Sequence, residues 1–466
     1  MPTVPDGVTL SEASDLIRSR QLSAAALVEY FLTMISTLDG AIRAWVRIDG
    51  EGALGSARTL DQLLASGTWL GPLHGIPIGV KDIYDVAGLP TEAGSSLRKG
   101  VVPGRDAVSV RRLKRAGAIV LGKTVTTELG HSVPGPTRNP WNIDHTPGGS
   151  SSGSAAAVAA HMCLGALGSQ TLGSIIRPAA YCGIVGLKAT YGLINRVGIL
   201  PLAPTLDTPG PMARTVRDAM MLFEAIAEER NVGRAPVQGT GFGVRGHEYG
   251  VRPTIGIPTE YFTSADSGTQ ICFEQALDAL KRLGMKLVHV PLPTSFNPAV
   301  RAAQVVTHVE AAALHVDLYR QRGEQYSSGF RRTIERGLMI PAVSYVRAQQ
   351  IRRRALSDMR NLFRQVNLDV LVTPATAGPA PAGLSSTGDA SFNTPFTALG
   401  MPVMTVPMGF VRDLPVGLQI AGNPFAEATV FAVAAAYEAA TGWMKQRPSM
   451  SRTQPTASDA SNVSPR

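Results

Sequence analysis

The residues best suited to chemistry lie in a segment that carries no charge. Residues 145–176 contain no Lys, Arg, Asp or Glu, but they include six serines and six glycines. Uncharged glycine and serine turns beside a buried helix let backbone N–H groups approach a ligand closely. The apolar run 155–167 predicts that helix, with Ser152 or Ser154 as its N-cap. The run is too short to span a membrane.

A second reactive group is Lys81, which ends the apolar sequence GIPIGVK. A lysine buried at the end of a strand loses hydration, so its pKa falls and it becomes available as a neutral base. A serine nucleophile needs such a base, and lysine variants of the serine triad exist. Alternatively, Lys81 forms an ion pair with Asp82 or Asp85, and spacing alone does not choose between the two interpretations.

Two other motifs compete with this interpretation. Residues 117–124 match the phosphate-loop pattern GxxxxGK[ST], but the spacer Ala-Ile-Val-Leu is itself typical of a strand, not of a flexible loop. Residues 149–153 match the nucleophile elbow GxSxG, with Ser151 at its centre. That fold needs an acid and then a histidine after the serine, and the last histidine, His315, lies far from the C-terminus. Neither motif is expected to be functional.

Charge and cysteine usage limit the partners. The net charge is +9, and residues 321–365 contain ten of the arginines. A solvated helix face is favoured there over a site for an anion, an acidic partner or RNA, because no aromatic residues or reader motif accompany the arginines. Three widely spaced cysteines and scattered histidines predict no disulfide framework and no dedicated zinc site. A cytoplasmic protein without a membrane segment is expected.

Alternating helices and strands must position these residues. Helical patterns cover residues 11–38, 53–66, 106–116, 268–283, 298–320 and 426–441, and strand patterns cover 75–83, 118–121, 254–257, 286–290, 369–373 and 402–408. Strands separated by helices predict an α/β fold whose mixed, mostly parallel β-sheet is covered by helices on both faces. The polar, Pro/Ser-rich residues 447–466 predict a disordered tail.

Several segments together resemble the amidase signature family, in that family's order. The segments are 147–157 (PGGSSSGSAAA), 168–179 (GSQTLGSIIRPA), 182–190 (CGIVGLKAT), 74–82 (HGIPIGVKD), 122–124 (GKT), 137–141 (TRNPW), 206–212 (LDTPGPM), 400–402 (GMP) and 414–420 (LPVGLQI). The likeness covers about residues 5–445. It implies a single large catalytic domain, residues 1–446, and an amidase that needs no metal or cofactor.

The resemblance also implies the catalytic residues. The family's lysine base matches Lys81, its bridging serine matches Ser150 and its nucleophile matches Ser174. The oxyanion hole would be formed by the backbone N–H groups of the turn Thr171, Leu172, Gly173 and Ser174. The Gly149–Ser150 peptide bond is expected to be cis. The implied substrate is a small-molecule amide, cleaved through an acyl-enzyme by a protein that could form a homodimer.

Three positions depart from the commonest form of the signature. Gln170, Leu172 and Ile176 stand where many members have Asp, Gly and Arg. We expect the loss of one acid and one base to leave the nucleophile turn dry and uncharged, with Arg177 as a substitute ligand for a substrate carboxylate. Gln170 and Ile176 favour a free-standing amide hydrolase. The alternative is the ammonia-releasing A-type subunit of a tRNA-dependent glutamine amidotransferase, in which the arginine-rich stretch would face a partner or RNA.

Overall fold

One sheet of eleven strands runs through the computed structural model of the chain, which describes residues 4–131, 133–228 and 253–449. In chain order the strands are β1 (Trp45–Ile48), β2 (Pro77–Lys81), β3 (Ile119–Thr124), β4 (Gly165–Gln170), β5 (Val185–Lys188), β6 (Thr208–Ala213), β7 (Thr254–Pro258), β8 (Lys286–Val290), β9 (Val370–Pro374), β10 (Val403–Val411) and β11 (Leu414–Gly422). Their order across the sheet is β1-β3-β2-β4-β6-β5-β10-β11-β9-β7-β8.

Thirteen α-helices in these described ranges cover the sheet. They are α1 (Leu10–Arg18), α2 (Ala24–Ile42), α3 (Gly50–Ala65), α4 (Val108–Arg115), α5 (Ser152–Ala159), α6 (Ile176–Cys182), α7 (Val216–Ile226), α8 (Ser267–Arg282), α9 (Phe296–Arg322), α10 (Ser328–Met339), α11 (Ala342–Val366), α12 (Thr394–Ala398) and α13 (Glu427–Thr441). The α/β class and the single mixed sheet agree with the prediction.

Strand β4 illustrates how both faces are covered. A side chain at Gly165 would meet Leu222 of α7, whereas one at Gly168 would meet Ser151 and Ile175. Residues three apart on a strand point to opposite faces of the sheet. Helices therefore pack against β4 from both sides, and the small residues of this strand let them come close.

The prediction of a mostly parallel sheet is wrong. Six of the ten neighbouring strand pairs are antiparallel and four are parallel. In two of the antiparallel pairs, β5–β6 and β10–β11, the chain returns to the neighbouring strand without a crossing helix. Strands β10 and β11 form a hairpin through Arg412 and Asp413, both with positive φ, the conformation that two-residue hairpin turns require.

Two predicted helices also differ from the structure. The pattern over 11–38 is two helices, α1 and α2, separated where Arg20 adopts a left-handed backbone with φ 59°. The predicted helix over 155–167 ends at Ala159, its N-cap is Ser151 rather than Ser152 or Ser154, and β4 begins at Gly165. Residues of small volume suit both a buried helix and a buried strand, so periodicity could not separate them.

Helix α2 is long and apolar enough to cross a membrane by length and composition. Leu27, Phe31 and Leu38 on one of its faces are buried in the hydrophobic core. A core helix of a folded domain has the same composition, so α2 does not change the expectation of a protein without a membrane span.

The arginine-rich stretch 321–365 forms the end of α9, all of α10 and nearly all of α11, and most of its arginines are exposed. This agrees with the predicted solvated face. Arg352 is different, because its guanidinium donates to the Ala398 and Thr205 carbonyl oxygens at 2.8 and 2.9 Å. The predicted tail 447–466 is described only as far as residue 449, so most of that prediction lies outside the described residues.

Candidate active site

Lys81 is the last residue of β2, and its side chain is completely buried. Its Nζ donates hydrogen bonds to two serine hydroxyls, Ser150 Oγ at 2.6 Å and Ser169 Oγ at 2.9 Å. Because β2 and β4 are parallel neighbours, the sheet itself brings Lys81 to the end of β4, where Ser169 lies. Two of the three predicted catalytic residues, Lys81 and Ser150, are therefore in direct contact.

Burial changes the protonation of Lys81. Removal from water penalises the ammonium form and lowers the pKa of Lys81 to about 7, while the charge of Asp207 acts in the opposite direction. A lysine with such a pKa is partly unprotonated at neutral pH and can accept a proton.

The alternative in which Lys81 pairs with Asp82 or Asp85 is wrong. Asp82 Oδ1 lies 2.8 Å from Lys123 Nζ, and both of these side chains are buried. Asp82 Oδ2 also accepts the Ala93 N–H at 2.8 Å. The acid after Lys81 thus neutralises a different lysine, and the hydroxyl partners of Lys81 leave its base function available.

Ser150 lies in a turn before α5, and the Gly149–Ser150 peptide bond is cis, as the resemblance implied. The Ser150 carbonyl accepts the Thr127 N–H at 3.3 Å. The N–H of the next residue, Ser151, donates to the Ser174 carbonyl at 3.3 Å. This bond ties the turn that carries Ser150 to the turn that carries Ser174. The role of Ser174 as nucleophile stays a prediction.

Arg177 of α6 holds the same turn from the other side. Its buried guanidinium donates to the Gly149 carbonyl at 2.6 Å, to Thr387 Oγ1 at 3.0 Å and to the Gly388 carbonyl at 2.7 Å. These hydrogen bonds from its two terminal nitrogens position the turn, and its buried Nε has no acceptor in the described part of the chain. The interpretation of Arg177 as a ligand for a substrate carboxylate stays a prediction.

Gln170 organises the start of α6. Its Oε1 accepts the N–H groups of Ile175 and Ile176 at 2.8 and 3.0 Å, and its Nε2 donates to Thr397 Oγ1 at 2.8 Å. Thr397 Oγ1 in turn donates to the Leu172 carbonyl at 2.8 Å. A neutral, fully buried amide thus holds the turn, as expected from the replacement of the charged pair.

The predicted oxyanion residues form a turn between β4 and α6. Thr171 and Ser174 are each 8% exposed. Within the described part of the chain, the N–H groups of Leu172, Gly173 and Ser174 donate to no protein acceptor. Free N–H donors beside a nucleophile can stabilise the negative oxygen of a tetrahedral intermediate.

Asp207 holds this turn in place through hydrogen bonds. Thr171 Oγ1 donates to Asp207 Oδ1 at 2.6 Å, and the N–H groups of Leu202 and Ala203 donate to Oδ2 at 2.8 and 3.0 Å. Burial raises the pKa of Asp207 to about 6. This carboxylate therefore fixes Thr171, the first residue of the turn. Its negative charge also acts to raise the pKa of Lys81.

Sequence reasoning missed the roles of Ser169 and Asp207. Asp207 lies within the LDTPGPM segment, so a signal was present. For Ser169 no local signal exists, because its contact with Lys81 depends on the pairing of β2 with β4, which are far apart in the chain.

The competing motifs have structural roles. In the phosphate-loop match 117–124, the spacer lies in strand β3, as the composition predicted. The central serine of the elbow match, Ser151, is buried, and its Oγ bonds the backbone N–H and carbonyl of Ser169 at 3.2 and 3.3 Å. Among the described residues, no group of three or more His, Cys, Asp and Glu side chains could hold a metal ion.

A cavity of about 590 Å³ adjoins the site. Ser169, Thr171 and Asp207 form one part of its wall, and Leu129 and Gly130 contribute another. The cavity is within the range of about 300–1,000 Å³ that is common for small-molecule sites.

The amidase family model matches residues 26–431. The chain is 35% identical to the glutamyl-tRNA(Gln) amidotransferase A-type subunit of Chloroflexus aggregans, over 96% of this chain and 99% of the relative, and 36% identical to that of Myxococcus xanthus, over 92% and 96%. The solved native peptide amidase from Stenotrophomonas maltophilia is 32% identical, covers 95% of this chain and 98% of its own, and superposes with a TM-score of 0.81.

Family, fold and site chemistry thus agree. The match spans most of the chain and includes both turns around Ser150 and Ser174. The chain belongs to the amidase signature family and is an amidase, an enzyme that hydrolyses carboxamide C–N bonds.

Proposed function

We propose that the chain cleaves its amide through an acyl-enzyme, with Ser174 as nucleophile, Ser150 as proton relay and Lys81 as base. The observation that carries the proposal is the 2.6 Å hydrogen bond between Nζ of the fully buried Lys81 and Ser150 Oγ. A lysine with a pKa near 7 supplies the neutral amine that the reaction requires.

The proton is conserved along this route. Neutral Lys81 takes the proton of Ser150 as Ser150 takes that of Ser174, and Ser174 Oγ bonds the carbonyl carbon. The N–H groups of the 171–174 turn stabilise the oxyanion. The relay returns the proton to the amide nitrogen, the C–N bond breaks and the amine or ammonia leaves. Water then attacks the ester through the same relay, which releases the carboxylate.

Replacement of Ser174 tests the assignment. Ser174→Ala should abolish turnover but leave the fold intact, because only a small hydroxyl is removed from a turn. A fluorophosphonate should add mass to the peptide that contains Ser174 in the wild type and not in the variant. Mass addition at Ser151 would contradict the assignment, and Ser151→Ala serves as the matched control.

A second candidate is an ammonia-releasing amidotransferase A-type subunit. The names of the curated relatives, which match over nearly the whole chain, favour it over a free-standing amidase. The substituted positions Gln170 and Ile176 and the likeness to the peptide amidase favour the free-standing enzyme. In this second role the chain would hydrolyse glutamine and work with partner proteins and a tRNA, contrary to the expectation of no nucleic-acid partner.

The two candidates differ in substrate and assembly. A free-standing amidase should hydrolyse simple carboxamides as an isolated protein, alone or as a homodimer, and should discriminate against L-glutamine. An amidotransferase component should prefer L-glutamine and reach full activity only in a larger complex. Size-exclusion chromatography with carboxamide and glutaminase assays separates them.

We also propose a cytoplasmic location. Cys163, Cys182 and Cys272 are free and buried, which suits a reducing compartment. Fractionation of the native host tests this proposal.

A further inference from the structure

The cavity beside the site is mostly apolar. Its apolar wall is contributed largely by one segment of the chain before β6, and these residues are Ile194, Val197, Ile199, Leu200, Pro201, Leu202 and Pro204. Ile83, which follows β2, and Leu129, which follows β3, also line the cavity. An apolar wall of this kind binds hydrocarbon groups by removing them from water.

The polar groups of the wall already have protein partners. Arg196 lies over the Tyr191 ring, 5.3 Å from its centroid, and donates to the Pro204 carbonyl. Glu228 accepts a hydrogen bond from Asn195 at 2.6 Å. The carboxylate of Asp207 accepts from Thr171 and from two backbone N–H groups. These engaged groups favour an apolar occupant over a free amino acid.

The cavity lies on the side of the proton relay. Ser169, part of its wall, accepts a hydrogen bond from Lys81 Nζ, the same atom that donates to Ser150. In amide cleavage the nitrogen must receive a proton from that relay before the C–N bond breaks. In the proposed mechanism the leaving amine therefore lies on the relay side, where Lys81 contacts the cavity wall through Ser169.

We propose that the cavity binds an apolar substituent on the leaving nitrogen, so that the substrates are N-alkyl or N-aryl amides. This inference rests on the proposed Lys81–Ser150–Ser174 function. Water adds to the acyl carbon, the C–N bond breaks, and the products are a carboxylate and an apolar amine. A release of ammonia would leave the cavity unfilled.

The size of the cavity sets the size of the substituent. A cavity of about 150 Å³ is sufficient for benzene, so 590 Å³ accommodates a butyl, benzyl or larger group. Each buried methylene contributes about 0.8 kcal/mol, which corresponds to roughly a fourfold increase in kcat/KM along a series of N-alkyl amides. The increase should stop where the chain reaches the end of the cavity.

Substrates that share one acyl group test the proposal, because they form the same acyl-enzyme. We would compare butyramide with N-ethyl-, N-butyl- and N-benzylbutyramide, and with L-glutamine. The selectivity ratio, kcat/KM for N-butylbutyramide over that for butyramide, should fall at least tenfold in Leu200→Trp, which fills the cavity. In Leu200→Ala, which enlarges the cavity, the ratio of kcat/KM for N-benzylbutyramide to that for butyramide should rise. Leu314 is exposed and lies outside the cavity. Leu314→Trp should therefore leave kcat/KM unchanged for the N-substituted amides and for butyramide.

The outcomes separate this inference from the proposed function. Equal changes for substituted and unsubstituted amides in the Leu200 variants, or a preference for butyramide or L-glutamine over all N-substituted amides, would overturn the inference alone. Binding provides a second measurement: calorimetry with Ser174→Ala should show N-butylbutyramide bound more weakly when Leu200→Trp is added. Full turnover by Ser174→Ala would instead overturn the proposed function.

Discussion

Lys81 and Asp207 are titratable groups whose pKa values burial moves toward each other, to about 7 and about 6. Near neutral pH, Lys81 is therefore partly neutral while Asp207 is mostly ionised. The base and the acid have separate tasks, since Lys81 bonds Ser150 and Asp207 bonds Thr171. The pKa values of both groups thus depend mainly on burial. The negative charge of Asp207 has a smaller effect and raises the pKa of Lys81.

The pH dependence of activity tests the role of Lys81. In the proposed mechanism the neutral amine is the active form, and burial lowers its pKa to about 7, so kcat/KM should rise with pH below 7 and reach a plateau above it. Lys81→Arg stays protonated and should be at least about a hundredfold less active, the usual size of a general-base contribution. The exposed Lys281→Arg is the control. Retention of more than a few per cent of activity in Lys81→Arg would contradict the mechanism.

Replacement of Asp207 should move the same pH profile. Asp207→Asn removes a negative charge that favours the protonated lysine, so the pKa of Lys81 falls and the acidic limb of kcat/KM shifts to lower pH. Unfolding should also become easier by about 1–3 kcal/mol, because one amide oxygen cannot accept the Leu202 and Ala203 N–H groups and the Thr171 hydroxyl together. The exposed Asp317→Asn should do neither. A shift of the limb to higher pH would count against this account.

At the scale of elements, two buried side chains hold the turns between strand and helix. Arg177 binds the Gly149 carbonyl before α5, and Gln170 binds the first N–H groups at the start of α6. Both turns are short of regular backbone hydrogen bonds, so side chains satisfy the buried polar groups instead. The positions of Ser150 and Ser174 therefore depend on residues that take no part in the chemistry.

Gln170→Leu tests this positioning role. The change leaves the Ile175 and Ile176 N–H groups buried without an acceptor, at a cost of about 1–3 kcal/mol for each unsatisfied group. We expect a loss of about 2–6 kcal/mol in the free energy of unfolding, measured with a denaturant, and a kcat/KM at least about tenfold lower. The exposed Gln350→Leu should stay within about 0.5 kcal/mol of wild type. Unchanged stability in Gln170→Leu would refute the role assigned to this amide.

At the scale of the whole molecule, one sheet joins the two halves of the chain. β5, which follows the serine-rich segment 145–176, pairs with β10, and β9 connects β11 to β7. The site lies at one end of the neighbouring strands β2 and β4, inside the sheet, so its geometry depends on this continuous sheet. We therefore keep the prediction that residues 1–446 form one catalytic domain.

Truncation tests the limits of that domain. Removal of residues 450–466 should change neither the melting temperature nor kcat/KM. Removal from residue 447 onward also deletes Arg447, which pairs with the exposed Asp6 at 3.1 Å, and the buried Pro448. Because an exposed ion pair contributes about 0–1 kcal/mol and a buried apolar side chain about 1.5–3 kcal/mol, this second truncation should cost about 1.5–4 kcal/mol. Loss of folding after removal of residues 450–466 alone, measured by circular dichroism, would contradict the domain limits.

The sequence alone determined the family, the residues Lys81, Ser150 and Ser174 as candidates, and most helices with clear periodicity. These inferences succeed because motif chemistry and the 3.6-residue repeat are local properties of the chain. The sequence also predicted the uncharged character of the nucleophile turn, since it is a matter of composition.

The tertiary structure decided everything that depends on contacts between distant segments. The strand directions, the Ser169 and Asp207 contacts, the role of Arg177 and the partner of Asp82 each join residues far apart in the chain. Strand pairing also decided that residues 165–170 are β4 and not the end of a helix. Lys81 becomes buried only when these segments pack together. The sequence could therefore predict that the pKa of Lys81 falls, but not which groups surround the lysine.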